Sequence, residues 1–178
     1  MAIKKLRKTL GDVHSPAAVE LRELIDTQSA ETIRSWCLDY AETRMLPLFE
    51  KLCPGDERPR NAVNAAHEYL LGKVRFPVVK NIILNECFAA ARELDANPAA
   101  QAAARAIGQG TAVVHTRSHS LGLYFYAAAA VAYDRLGLDA CLEEYAQVAD
   151  EVCRDYTEAL RTIAIKDEPN PAQLKWNC

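Results

Sequence analysis

Residues 97–137 place the strongest constraint on the fold: two alanine-rich runs, "NPAAQAAARAIGQGTAVV" and "LGLYFYAAAAVAYDRLG", separated by the polar stretch "HTRSHS". Alanine is the best helix former and adds almost no width to a helix, so such runs favour helices packed close together. Only 7% of the residues are aromatic, which thins out one main source of strand propensity. No segment alternates apolar and polar residues between turn signals. The sequence therefore predicts an all-α protein, a compact bundle of about six to seven helices in orthogonal and antiparallel packing, with no sheet. At 178 residues the chain is long enough to bury a substantial core in one domain.

Capping residues and breakers set the expected boundaries. Ser15-Pro16 opens the first helix, serine as N-cap and proline at the first helical position. The second segment, "SAETIRSWCLDYAETRMLPLFEKL", places Ile33, Cys37, Tyr40, Ala41, Met45, Leu48 and Leu52 at three-and-four spacing. Pro47 inside it is expected to bend the helix or begin a new turn. After the breaker "CPGDERP", a third helix runs from Pro59 to about Gly72, its C-terminal cap, with Ala62, Ala65, Ala66, Tyr69 and Leu70 on one side.

A fourth helix begins near Pro77. Val79, Ile83, Cys87, Ala90 and Leu94 form a stripe that Ile82, Leu84, Phe88 and Ala91 widen, which predicts a central, mostly buried helix. Glu86 borders that surface and reads as an exposed, snorkelling glutamate, with a paired semi-buried carboxylate as the alternative. Asn97-Pro98 opens the fifth helix, in which Gly108 and Gly110 weaken the helix unless a neighbour needs the room. The sixth covers about Ser118 to Leu136 and ends at Gly137. The seventh, from Asp139, aligns Cys141, Tyr145, Val148, Val152, Tyr156, Ala159 and Ile163. The chain thus divides into a basic arm over residues 1–14, a single helical domain over 15–166 and an extended tail over 167–178.

The net charge of −3 is unevenly laid out: residues 1–60, 61–138 and 139–178 sum to 0, +2 and −5. A nucleic-acid-binding protein needs a basic face, and only Lys4, Lys5, Arg7 and Lys8 cluster, as a solvated terminal arm. No nucleic-acid partner is expected, and no stretch approaches the length of a membrane span. Cys37, Cys53, Cys87, Cys141, Cys153 and Cys178 include no C-x-x-C pair and no zinc-type spacing. They read as reduced thiols in the cytoplasm, mostly buried as small hydrophobes.

Three constellations carry charge or chemistry. His115 and His119 lie four apart, but Thr116 stands where a zinc hydrolase has its glutamate, and spacing marks no third ligand. No bound metal and no cofactor are expected. The two rings read as structural groups at a helix junction, with Thr116 or Ser118 as N-cap. The second, "DERPR", sets Arg58 and Arg60 at a helix N-terminus, where the macrodipole disfavours cations. Glu42, Glu50, Asp56 or Glu57 are the expected partners, with an external anion or an acidic partner residue as the alternatives. The third is the acidic seventh helix, where Glu143, Glu144, Asp150, Glu151, Asp155 and Glu158 point away from the apolar stripe. No nucleophile elbow, P-loop, dinucleotide turn or E-x-x-H pattern is present, so nothing in the sequence argues for catalysis.

Taken together, Leu46-Pro47-Leu48-Phe49-Glu50, Asp56, Arg58-Pro59-Arg60, Ala65-Ala66 and Gly72 resemble a helix–loop–helix of bacterial immunity proteins, the fifth-immunity-family-like domain of polymorphic toxin systems. The stretch "AAARAIGQGTAVVHTRSHSLGLYFYAAAAVAY" is similar to that family's pair of histidines followed by an alanine-rich helix. The resemblance spans roughly residues 30–165. The basic arm, the bulky "LGLYFYAA" and the tail containing Trp176 depart from the family pattern. The resemblance implies a helical domain that binds and neutralises a cognate toxin without catalysis. Glu143, Glu144, Asp150, Glu151 and Asp155 are then the candidate partner contacts, suited to a basic toxin. The alternatives are a metal- or anion-dependent enzyme using His115, His119, Arg58 and Arg60, or a helical scaffold that pairs with its own copy as a homodimer.

Overall fold

A computed structural model describes residues 6–176, and among these seven continuous helices make up the regular structure with no strand. They are α1 (Pro16–Asp26), α2 (30–52), α3 (Arg58–Leu70), α4 (76–93), α5 (Pro98–Ala112), α6 (His119–Leu136) and α7 (Leu142–Arg161). Lys4, Lys5 and Cys178 lie outside the described residues. Several boundaries follow from the expected chemistry. The Ser15 Oγ accepts from the Ala18 N–H at 3.2 Å, and the Asn97 Oδ1 accepts from the Ala100 N–H at 3.1 Å. Gly72 ends α3 with φ +70°, and the Lys73 N–H reaches back to the Glu68 carbonyl, closing a Schellman-type cap.

Proline leaves a different mark on α2 than a simple kink. Pro47 has no N–H for the Thr43 carbonyl, and its ring crowds that turn. The helix answers with a π turn over Ala41–Met45, in which the Leu46 N–H bonds the Ala41 carbonyl five residues back. That turn takes up one extra residue and shifts the apolar stripe. The core residues after Met45 are Leu46 and Phe49, whereas Leu48 and Leu52, the expected ones, are only half-buried. A second π turn, Ile83–Cys87, interrupts α4. Glu86 on it is half-buried and accepts from the Asn61 amide at 2.9 Å, so the paired carboxylate, and not the free exposed one, is what forms.

The centre of the molecule is α5, not α4. Ten residues of α5 are buried, and the helix packs against α2, α3, α4 and α6. Its two glycines mark the closest approaches. A Cβ on Gly108 would lie 2.4 Å from the Phe88 ring; one on Gly110 would lie 2.7 Å from both the Ala41 Cβ and the Leu123 Cδ1, and 3.1 Å from the Cys37 carbonyl oxygen. The expectation of a mostly buried α4 fails for a geometric reason. That helix packs against α3 and α5 only on the side of Val79, Ile83 and Cys87, which leaves Val78 47% and Leu84 42% exposed.

The stripe of α7 is buried from Tyr145 to Tyr156, but its two ends differ from expectation, with Leu160 buried where Ala159 is only half-buried. Cys141 precedes the helix and is exposed, and Ile163 follows it, 41% exposed. Tyr156 ties three helices together. Its ring stacks on Trp36 at 3.9 Å and meets Tyr40 edge-on at 4.6 Å. Its hydroxyl donates to the Ser120 carbonyl at 3.1 Å, so the Cys37 thiol, also 3.1 Å away, supplies the proton between sulfur and phenol. Burial raises the Cys37 and Cys87 thiols far above their ordinary range, which makes them inert core groups.

Both flanking segments dock on the bundle. The Tyr133 hydroxyl donates to the Arg7 carbonyl and the Leu10 N–H to the Phe125 carbonyl, which lays residues 7–10 along α6. The C-terminal stretch crosses the α1–α2 corner. Glu168 accepts from the Ser29 N–H and the Thr32 hydroxyl, the Gln28 side chain brackets the backbone of Ile165, and Asp26 accepts from the Leu174 N–H and the Trp176 indole.

The Gly110 contact gives a test of the close packing. In an ordinary helix Gly→Ala adds about 1 kcal/mol of stability. Gly110→Ala has the opposite sign, lowering stability by about 1–3 kcal/mol through overpacking against α2 and α6, measured as a shift in the urea midpoint at constant slope.

Candidate functional site

The outer side of α7 holds the five carboxylates singled out as partner contacts. Glu143, Glu144, Glu151 and Asp155 are exposed and Asp150 is half-buried. Several already serve the fold. The Glu144 carboxylate accepts from the Cys141 N–H at 2.8 Å, closing a capping box, and this bond holds it below the usual carboxylate range. Asp155 accepts from the Tyr40 hydroxyl at 2.9 Å and lies 3.6 Å from the Arg44 Nε. Glu151 pairs with Arg135 at 3.0 Å, with both side chains more than half exposed. Between α2 and α7 a groove of about 480 Å³ brings Asp39 and Glu158 beside Asp155. Asp39 lies more than a hundred residues from Asp155 in sequence, so no spacing on α7 pointed to it.

Arg58 and Arg60 sit on the first turn of α3 and are both paired within the chain. The Arg58 guanidinium donates from Nε and Nη2 to the two oxygens of Asp56 at 2.9 and 2.7 Å, and from Nη1 to Glu93 at 2.9 Å. The Arg60 Nε donates to Glu50 at 2.7 Å. Asp56 and Glu50 were among the expected partners; Glu93, at the end of α4, was not. Glu42 instead meets His67 at 2.7 Å. The bidentate bond from Arg58 is the main reason that the Asp56 carboxyl titrates below its ordinary value. The fork therefore joins the α2–α3 loop to α3 and to the end of α4.

His115 and His119 flank the α5–α6 junction in different surroundings. His115 is exposed and stacks on Phe76 with ring centroids 3.9 Å apart. His119 is half-buried, with Nδ1 2.7 Å from the Gln109 Oε1; that oxygen only accepts, so Nδ1 carries the proton and Nε2 is left open. Burial, and next the neighbouring His115, push the His119 pKa below its ordinary value. Gln109 is seated against Gly122, where any Cβ would come within 2.3 Å of its Oε1. Ser118 occupies the N-cap position of α6, but its hydroxyl bonds nothing there, contrary to the expected cap. Among the described residues no three histidine, cysteine, aspartate or glutamate side chains gather as a metal site. Phe76, Lys80 and Gln109, which complete this junction, escaped the sequence reading because they belong to other helix turns.

The Arg58 fork yields a pH-dependent expectation. A carboxylate with a depressed folded pKa contributes stability above its unfolded value and loses it as pH falls through the folded value. Arg58→Ala therefore lowers stability by about 1–2 kcal/mol at neutral pH, and the gap to the wild type closes as pH falls below about 4, followed by urea unfolding across that range.

Residues 23–158 match the family described as Imm-5 like putative immunity protein, so the match takes in the last turn of α1, α2 to α6, most of α7, the arginine fork, the histidine junction and the acidic face. The chain matches no curated protein and no solved structure. No described helix is long and apolar enough to cross a membrane. With the family pattern running through more than half of its length, this chain belongs to the Imm-5 like putative immunity protein family.

Proposed function

We propose that the protein is a non-catalytic immunity protein of the bacterial cytoplasm that neutralises a cognate toxin by covering its active surface. Family membership supports an immunity role, and the observation that carries the mode of action is the exposed acidic side of α7, continued by Asp39 across the groove to α2. Occlusion needs a surface and no reactive group. A run of carboxylates on a rigid helix of twenty residues supplies a long-range field for a basic partner. Complementary charge of this kind speeds encounter and rejects like-charged competitors.

Glu144 and Asp155 are also fastened to the backbone of Cys141 and to Tyr40, so reversing them perturbs the cap and the α2–α7 contact as well as the surface. Glu143, Glu151 and Glu158 are the cleaner probes: all three are exposed on α7, and the pairs of Glu151 with Arg135 and of Glu158 with Arg161 are exposed ion pairs that contribute little to stability. Glu143→Lys/Glu151→Lys/Glu158→Lys should keep the wild-type circular dichroism spectrum. It should slow association with a candidate cognate toxin by at least about tenfold at low salt, and flatten the salt dependence of the rate. Co-expression with that toxin gives the cellular readout: the wild type restores growth and co-purifies with it. A wild type that neither rescues nor binds removes the immunity reading for that pair, whereas equal rescue and equal rates for both proteins move the contact surface off α7.

A further inference from the structure

We propose that the cleft between α4 and the α5–α6 junction is a binding site for a small amphipathic carboxylate, an aromatic or branched apolar body carrying one anionic head. This goes beyond the immunity reading and uses none of the residues of α7. The cleft measures about 340 Å³, within the size range of small-ligand sites. Its apolar wall is built before any ligand arrives. Phe88 lies against Gly108, Phe76 is stacked on His115, and Leu84 is 42% exposed on the rim.

The charge of the lining selects the head group. Lys80 from α4 and His115 and His119 from the junction are the titratable groups that line the cleft, and no carboxylate lines it, in a chain whose net charge is −3. Several cations elsewhere are committed, Arg58, Arg60, Arg135 and Arg161 each to an ion pair. Among the described residues Lys80 has no such partner. The Arg117 Nε, between the two histidines in sequence, is shielded from solvent and bonds nothing.

The Gln109 bond gives the site its direction. With Nδ1 committed to Gln109, protonation of His119 takes place at Nε2, where it creates an N–H donor and a positive charge. An anion beside that nitrogen favours the proton, so binding draws a proton onto the imidazole and strengthens as pH falls through the histidine range. The ammonium of Lys80 supplies a second positive charge for the same head group, while the apolar body rests on Phe76, Leu84 and Phe88.

The test is calorimetric titration of the full chain with 2-naphthoate at about pH 6 and about pH 8, beside the neutral 2-naphthylmethanol and a peptide ending in phenylalanine with a free carboxylate. The expected result is that 2-naphthoate binds, the alcohol binds at least about tenfold more weakly, and affinity rises about tenfold from the higher to the lower pH. Binding should move the ring resonances of His115 and His119 in the nuclear magnetic resonance spectrum. Lys80→Gln alters an exposed side chain and should weaken binding about tenfold without touching the fold. Ala112→Leu fills the cleft and should abolish binding while the circular dichroism spectrum stays unchanged. No binding of 2-naphthoate at the lower pH, equal binding of the alcohol, unmoved histidine resonances, or wild-type affinity in Lys80→Gln each overturn the proposal. Binding of the peptide alone overturns the small-molecule assignment.

Discussion

Helix α5 has almost no side-chain volume, and that scarcity governs how the other helices can be arranged. Four helices pack against a surface made mainly of alanine and glycine, so axis separations are set by backbone contact instead of interdigitating side chains. Alanine and glycine have no rotamers with which to absorb a misfit. Adaptability has to come from the neighbours, and the neighbours are correspondingly large: Phe88 covers Gly108, and Leu123 covers Gly110. The aromatic cluster of Trp36, Tyr40 and Tyr156 then fills the contact between α2 and α7, where large rings take the place of alanine and glycine.

That division explains which parts of the structure were legible in the sequence. Helix class, the Ser15, Asn97 and Gly72 caps and the need for Gly108 and Gly110 to face neighbours all rest on local chemistry, and local chemistry is what a sequence displays. The stripe of α2 went astray after Met45 because a π turn adds one residue to the count, and periodicity assumes that no residue is added. The breadth of the apolar surface on α4 was read as burial, yet burial depends on how many helices pack on it. For the arginines, Asp56 and Glu50 are close enough in sequence to be anticipated, whereas Glu93 reaches Arg58 only because α4 returns alongside α3. Gln109 could have been suspected as the partner of a histidine ten residues on, but no spacing rule connects the end of one helix to the start of the next.

The molecule separates its charges by location. Acidic groups collect on α7 and on the facing part of α2, while the cleft beside α4 is lined by Lys80 and two histidines and by no carboxylate. The family pattern runs through both regions. Between them the arginine fork occupies the corner where α2, α3 and the end of α4 meet, and its guanidinium groups are paired with the chain's own carboxylates. A charged motif paired in this way offers less to an external partner, since an anion that takes the face of Arg58 held by Asp56 has to displace a bidentate bond.

The chain contains two tryptophans, and their settings differ enough to be separated by light. Trp36 is 2% exposed, stacked on Tyr156 and bonded to its carbonyl, inside the α2–α7 contact. Trp176 is half-buried at the surface, its indole N–H donating to Asp26 across the α1–α2 corner. An aqueous quencher such as iodide reaches the second indole and is kept from the first. Emission from a single sample therefore carries two signals, one reporting the seating of the C-terminal segment and the other the integrity of the core. Detachment of that segment ahead of global unfolding registers as a loss of the quenchable component while the shielded one persists.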